Sequence, residues 1–130
     1  MSAWEEFGLE ERIQKILDIP PSKGDHHFGR PFLTTYQIAI ELAKEITNLC
    51  TSIDKPLGGK GTGEYNSLAQ YIGLELSKRI KGKKIPNIEG GHLHHKDLTT
   101  VEFSFNGESV ISSDLVYLSM YRRIDLPSQK

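Results

Sequence analysis

Apolar residues recur every three or four positions in three stretches, the spacing of one buried face of an α-helix. The stretches cover residues 3–17, about 35–49 and about 67–81. Each follows a hydroxyl residue that has Glu or Gln three positions later, the spacing of a capping box: Ser2 with Glu5, Thr34 with Gln37, and Ser67 with Gln70. The pattern predicts three helices, and we expect Gly82 and Pro86 to end the third.

The pattern changes to strict alternation in the C-terminal third. Residues 101–105 alternate between apolar and polar positions, and Asn106-Gly107 separates them from residues 108–112. Asn-Gly between two such runs predicts a β-hairpin, because a type I′ turn needs two positive φ angles. A loop of two residues would set Phe105 opposite Glu108 and Phe103 opposite Val110.

Residues 114–123 also alternate and are rich in Tyr and Val. They fit a strand or a helix, and we favour a third strand beside the hairpin. The predicted fold class is therefore α+β, with three N-terminal helices followed by an antiparallel hairpin or three-stranded meander, an order similar to that of winged-helix proteins.

The length of 130 residues suits one domain over residues 1–130. We place its core in residues 32–125, and residues 1–19 form a helix that either joins this core or acts as an interaction arm. The core is predicted to centre on the apolar faces of the last two helices and on the hairpin: Ala39, Leu42, Ile46, Leu68, Ile72, Leu76, Phe103 and Val110.

The net charge of −1 gives no overall attraction to nucleic acid or membrane, but the charge is unevenly distributed. Residues 1–18 hold five acids and two bases, whereas residues 55–84 hold seven bases and two acids. Cys50 is the single cysteine, which excludes an internal disulfide. No apolar run is long enough to span a bilayer and the acidic start does not fit a signal peptide, so we expect a cytoplasmic protein with no membrane partner.

A glycine-rich loop from Gly58 to Gly63 leads into the third helix. Such a loop can present backbone amides to a phosphate at a helix N-terminus, although it also fits a flexible surface turn. Lys60 is followed by Gly61 and not by Ser or Thr, so the Walker pattern is not matched. The dinucleotide-binding pattern also fails, since no strand is predicted before the loop.

The loop and the basic end of the third helix together favour binding to DNA or RNA, because phosphate contacts supply most of the affinity of such proteins. The candidate contact residues are Lys60, Gly61, Thr62, Gly63, Lys78, Arg79, Lys81, Lys83 and Lys84. Two observations oppose this interpretation. The connection before the third helix is long for a helix-turn-helix, and the helix macrodipole alone favours bases at a helix C-terminus.

The histidines form two groups, His26-His27 and His92-x-His94-His95. If residues 91–98 are extended, His92 and His94 project to one face, and His26 or His27 could add a third metal ligand. Such spacings arise easily by chance, so we expect no intrinsic metal and no other cofactor.

Two alternatives to nucleic-acid binding stay open. One is a protein-interaction or assembly module without catalysis, whose N-terminal helix contacts a second copy or another protein. The other is a small enzyme that binds a metal or a phosphate ligand. No arrangement of nucleophile and base is evident, so we assign no catalytic residue.

Overall fold

The computed structural model describes residues 2–21, 29–59, 67–112 and 117–125. In these ranges the helices are α1 Ala3–Glu6, α2 Leu9–Ile16, α3 Thr35–Glu45, α4 Leu49–Ile53 and α5 Leu68–Lys81. The strands are β1 Leu33–Thr34, β2 Ile88–His94, β3 Glu102–Phe105, β4 Glu108–Ile111 and β5 Tyr117–Arg123. Helices and antiparallel sheets together confirm the predicted α+β class.

The predicted first helix is two helices, because Gly8 adopts a left-handed conformation with φ +58° between α1 and α2. Its predicted capping box is present, with Glu5 N donating to Ser2 Oγ at 3.3 Å. Leu9, Ile13 and Leu17 are fully buried in the same core cluster as the other helices. The apolar face of the N-terminal helix is therefore covered within the chain.

The second helix begins where predicted and ends early. Gln37 N donates to Thr34 Oγ1 at 3.2 Å and Thr34 N donates to Gln37 Oε1 at 2.7 Å, which completes the capping box. The backbone then leaves helical geometry at Ile46, with φ −117° and ψ 89°, before residue 49 is reached. The predicted continuation to Leu49 is thus wrong, and α4 is a separate short helix.

The third predicted helix, α5, begins at its predicted cap, where Gln70 N donates to Ser67 Oγ at 3.1 Å. Its C-terminus is a Schellman motif: Lys84 N donates to Arg79 O at 2.8 Å and Lys83 N donates to Ile80 O at 3.0 Å. The left-handed residue of this motif is Lys83, with φ +60°, whereas Gly82 has a φ of −81°. The helix ends near the predicted glycine, but that glycine does not supply the positive φ.

The hairpin of β3 and β4 has the predicted register, with Phe105 opposite Glu108 and Phe103 opposite Val110. Residues 117–123 form a strand, as favoured, but the predicted three-stranded meander is wrong. Strand β5 is the centre of a separate sheet of order β1-β5-β2 and pairs with β2 over seven residue pairs. The likeness to winged-helix proteins stays a prediction.

Helices α3 and α5 contact each other, and both contact the three-stranded sheet. Five of the eight predicted core residues are buried: Ala39, Leu42, Leu68, Ile72 and Leu76. The other three, Ile46, Phe103 and Val110, are partly buried and pack against this core. Four buried core residues from β2, β5 and the segment before β2 were not predicted: Ile85, Ile88, Leu118 and Tyr121.

Among the helices of the described ranges, none combines the length and the apolar character that crossing a lipid bilayer requires.

Candidate functional site

The beginning of α5 does not offer its amides to an anion, because the chain already uses them. Leu68 N donates to Pro56 O at 2.8 Å and Ala69 N donates to Leu57 O at 3.0 Å. With the amide of the third helical residue bonded to the cap hydroxyl, three first-turn donors are satisfied internally. Phosphate binding at this helix N-terminus, one of the interpretations open from the sequence, therefore lacks its donors.

The first two loop glycines have a packing role. Gly58 and Gly59 have φ angles of +126° and +113°, and a Cβ at position 59 would lie 2.8 Å from Ile111 O on strand β4. The loop thus begins by passing closely over the hairpin, which only a residue without a side chain allows. The predicted contacts Lys60, Gly61, Thr62 and Gly63 lie outside the described residues.

Arg79 has a structural role that the sequence did not indicate. Its guanidinium pairs with Glu75 one turn earlier and lies 4.5 Å from the centroid of the Trp4 ring. The cation–π contact joins α1 to α5, and the ion pair within α5 holds the guanidinium in position. The Arg79 guanidinium therefore already has partners within the chain.

Four lysines at and after the C-terminal end of α5 form a basic cluster, and all four are exposed: Lys78, Lys81, Lys83 and Lys84. The Nζ atom of Lys78 lies 3.9 Å from Glu75 Oε2, and the Lys78 side chain is 74% exposed. An exposed pair at this distance contributes at most about 1 kcal/mol, so Lys78 can exchange this partner for another anion at small cost.

A groove of about 450 Å³ runs between the C-terminal half of α5 and strands β2 and β5. The helix lines it with Ser77, Ile80 and Lys81, and the strands line it with Gly90, Gly91, His92, Ser119 and Tyr121. This groove brings Lys81 of the basic cluster together with His92 of the histidine group. None of the described residues that line it is acidic.

The floor of the groove is held by Tyr121. Its hydroxyl lies 2.8 Å from Ser77 Oγ and donates to Gly73 O at 3.2 Å, which joins β5 to α5. The buried Tyr121 ring packs directly on the β2 backbone at Gly90, which has no side chain to hold the ring away. Tyr121 therefore closes the bottom of the groove between Lys81 and His92.

The histidines of β2 are placed as predicted, since His92 and His94 lie two positions apart in an extended strand. The strand ends at His94, so the rest of the predicted extended segment 91–98 is not strand. His94 Nδ1 accepts a hydrogen bond from Lys96 N at 2.9 Å, and its ring stacks on His95. Within the described residues no three His, Cys, Asp or Glu side chains are grouped to hold a metal, and His26 and His27 lie outside them.

Cys50 is half-buried on α4, and burial raises the pKa of its thiol. A raised pKa leaves less thiolate at neutral pH, which opposes a role as nucleophile.

Sequence reasoning missed the groove residues that come from the strands, above all Gly90, Gly91, Ser119 and Tyr121. The Gly-Gly pair directly before the histidines was the available signal, because glycine inside a strand marks a close approach of another group. No protein-family model, curated protein or solved structure matches this chain.

Proposed function

We propose that this protein binds the phosphate backbone of a nucleic acid along the groove between α5 and β2. The observation that supports the proposal best is the character of the lining: a lysine, an imidazole and three hydroxyls, with no acid among the described lining residues. Cations and neutral donors without a competing carboxylate suit an anionic ligand.

The surface beside the groove extends the positive charge. Lys78 and Lys81 stand one turn apart on α5, and Lys83 and Lys84 follow directly after the helix. Four exposed lysines at one end of a helix provide several phosphate contacts, each of which releases counterions on binding. Arg79 is left out of this surface, because it is paired with Glu75 and stacked on Trp4.

The groove itself provides the close contacts. A phosphate in the groove can contact Lys81 and His92, with the Ser119 hydroxyl as a neutral donor. These groups recognise phosphate and sugar rather than base edges, so the proposal is binding with little sequence specificity. It places the contact at the C-terminal end of α5, unlike the N-terminal contacts of a typical recognition helix.

The test is the salt dependence of binding, measured by fluorescence anisotropy with labelled duplex DNA, single-stranded DNA and single-stranded RNA. The double variant Lys81→Gln, Lys84→Gln removes two of the proposed contacts. We expect weaker binding and a slope of log affinity against log salt that is smaller by about 0.9 per contact for duplex DNA and about 0.7 for single strands.

Lys15→Gln is the matched control. Lys15 is an exposed lysine near the end of α2 that does not line the groove, so removal of its charge should leave the slope unchanged. Two results would refute the proposal: no binding at protein concentrations up to about 100 μM, the weak end of typical non-specific affinities, or an unchanged slope in the double variant. A protein-interaction module would then become the preferred interpretation.

A further inference from the structure

Two neighbouring arginines at the end of strand β5, Arg122 and Arg123, meet a third that lies far away in sequence, Arg30. Arg30, Arg122 and Arg123 line a pocket of about 130 Å³ together with Gly29 and Asp125. This volume has room for a phosphate group. The pocket does not share a lining residue with the groove at α5.

Arg30 and Arg123 share one carboxylate, and each also donates to a backbone oxygen, Arg30 Nη1 to Ile19 O at 3.1 Å and Arg123 Nη1 to Gln14 O at 3.5 Å. Arg30 Nη1 lies 3.0 Å from Asp18 Oδ1, and Arg123 Nη1 lies 3.6 Å from the same oxygen, so one carboxylate oxygen serves two arginines. Arg30 Nη2 lies 3.6 Å from Asp125 Oδ1, and the Asp125 side chain is 91% exposed. Asp125 is therefore a loosely held partner that an incoming anion can displace.

Arg122 is held by more contacts within the chain than the other two arginines are by their carboxylates. It pairs with Glu89, donates from Nη1 to Arg30 O at 3.1 Å, and lies over the Phe32 ring at 4.5 Å from its centroid. These contacts hold the Arg122 guanidinium at the pocket and tie the Arg30 backbone to β5.

The Nε atom of Arg123 is buried and has no hydrogen-bond partner in the described part of the chain. Buried donors in folded proteins are nearly always satisfied, and an exception needs an explanation such as a bound water or ion. Guanidinium groups bind oxoanions through paired N–H donors, which is the chemistry this pocket offers.

We infer that the pocket formed by Arg30, Arg122 and Arg123 binds a tetrahedral oxoanion, either free phosphate or the phosphate group of a monoester. The site is independent of the proposed nucleic-acid groove. The anion takes the place of Asp125 beside Arg30 and supplies an acceptor to the arginine cluster.

The first experiment is binding of inorganic phosphate to the whole chain, measured by calorimetry and by the shift of the unfolding temperature, with sodium chloride at equal ionic strength as reference. A ligand that binds only the native state raises the unfolding temperature in a saturable way. We expect such a rise with phosphate, whereas no saturable response would overturn the inference. Glycerol phosphate is the second ligand, and tighter binding of this compound than of phosphate would identify a monoester as the preferred ligand.

Two variants change the pocket in opposite directions. Arg123→Lys keeps the charge and removes the Nε donor and the planar fork, so phosphate should bind about tenfold more weakly or worse. Asp125→Asn removes the competing carboxylate and should tighten phosphate binding. Because the Asp125 side chain is exposed, this second variant stays decisive even if Arg123→Lys does not fold. Unchanged affinity in Asp125→Asn would refute the site.

Lys81→Gln is the matched control, because it alters the groove at α5 and leaves the pocket intact. It should weaken nucleic-acid binding without changing phosphate affinity. If phosphate does not bind while Lys81→Gln still weakens nucleic-acid binding, only the oxoanion site is refuted. If phosphate binds and the groove variants have no effect, only the nucleic-acid proposal fails.

Discussion

Gly90 lies directly opposite Tyr121 in the pairing of β2 with β5, and a Cβ at position 90 would come within 3.0 Å of Tyr121 Cε1. The ring cannot move aside freely, because its hydroxyl is bonded to Ser77 Oγ and to Gly73 O on α5. Because Gly90 has no side chain, the Tyr121 ring can form the floor of the groove. The same contact sets the distance between the three-stranded sheet and α5.

The variant Gly90→Ala should therefore lower the free energy of unfolding by about 1–3 kcal/mol, the usual cost of inserting a methyl group into a packed site. Gly91→Ala is the control, since the nearest atom to its Cβ is Phe32 Cε1 at 3.9 Å, an ordinary contact. Alanine at position 91 should leave stability unchanged or raise it, because glycine in a strand interior costs conformational entropy. Urea denaturation of both variants measures the difference, and equal effects would show that the Tyr121 contact is not tight.

Gly59→Ala should be more damaging than an ordinary loop substitution. The added Cβ would meet the carbonyl oxygen of Ile111 at 2.8 Å, in a backbone conformation that L residues rarely adopt. We expect a loss of about 2 kcal/mol or more from strain and overpacking together.

The matched substitution is Gly107→Ala, at a positive φ of +81° with no other atom within 4 Å of the Cβ. It isolates the cost of the backbone conformation, which we expect to be about 1 kcal/mol. If Gly59→Ala lowers the free energy of unfolding no more than Gly107→Ala does, the glycine-rich loop is not in tight contact with β4. Thermal or urea unfolding of both variants gives the comparison.

Lys83 holds the left-handed position after α5, where glycine is the preferred residue. The variant Lys83→Gly should raise the free energy of unfolding by up to about 1 kcal/mol, because it relieves the φ of +60°. Lys84→Gly removes the same charge at a position without positive φ and should be neutral or slightly destabilising. A lower stability of Lys83→Gly than of Lys84→Gly, measured by urea denaturation, would contradict the Schellman geometry.

Stability should fall at alkaline pH partly through Tyr71. Burial raises the pKa of its hydroxyl, which accepts a hydrogen bond from Trp4 N at 3.1 Å. The native state therefore keeps this proton at pH values where the unfolded chain, with an ordinary Tyr pKa near 10, loses it. The stabilisation that Tyr71 contributes is complete below about pH 10. It is lost as the pH rises through the raised pKa of Tyr71 in the native state.

Tyr71→Phe tests this dependence. It removes the titrating group together with one hydrogen bond, so the variant should be about 1 kcal/mol less stable at neutral pH and should lose less stability between pH 9 and pH 11, about one unit either side of the ordinary Tyr pKa. Denaturation curves across that range measure both effects. Parallel pH profiles for the two proteins would assign the alkaline loss to other groups.

Signals that act within a few residues predicted individual elements of the fold correctly. Thr34 with Gln37 and Ser67 with Gln70 fixed two helix starts, because a cap is a contact across three positions. Asn106-Gly107 gave the hairpin and its register, since the turn dictates which residues face each other.

Elements that depend on distant partners could not be predicted in this way. Strand β2 has no apolar alternation, and most of its residues are exposed, so only its pairing with β5 identifies it as a strand. For the same reason β5 was expected beside the hairpin, its neighbour in sequence, instead of between β1 and β2.

The candidate sites also combine local features, which the sequence reveals, with contacts between distant segments, which it does not. The basic cluster around Lys81 was visible because its members are close in sequence, whereas its position beside His92 depends on how α5 packs against β2. Arg30 and Arg122 lie 92 positions apart, and no local pattern relates them. Arg79 was placed among the candidate contacts because of its position on the third helix, whereas its contact with Trp4 joins segments that are distant in sequence.

The place of β5 at the centre of the sheet also bears on how the chain assembles during synthesis. Strands β1 and β2 leave the ribosome before β5, and neither pairs with the other in the described sheet. Until Tyr117–Arg123 emerges, both outer strands lack the partner that satisfies their backbone groups, although the helices can already pack. Because β5 pairs with both Leu33 and Ile88 through its two edges, neither outer strand can join this sheet before that late segment is made.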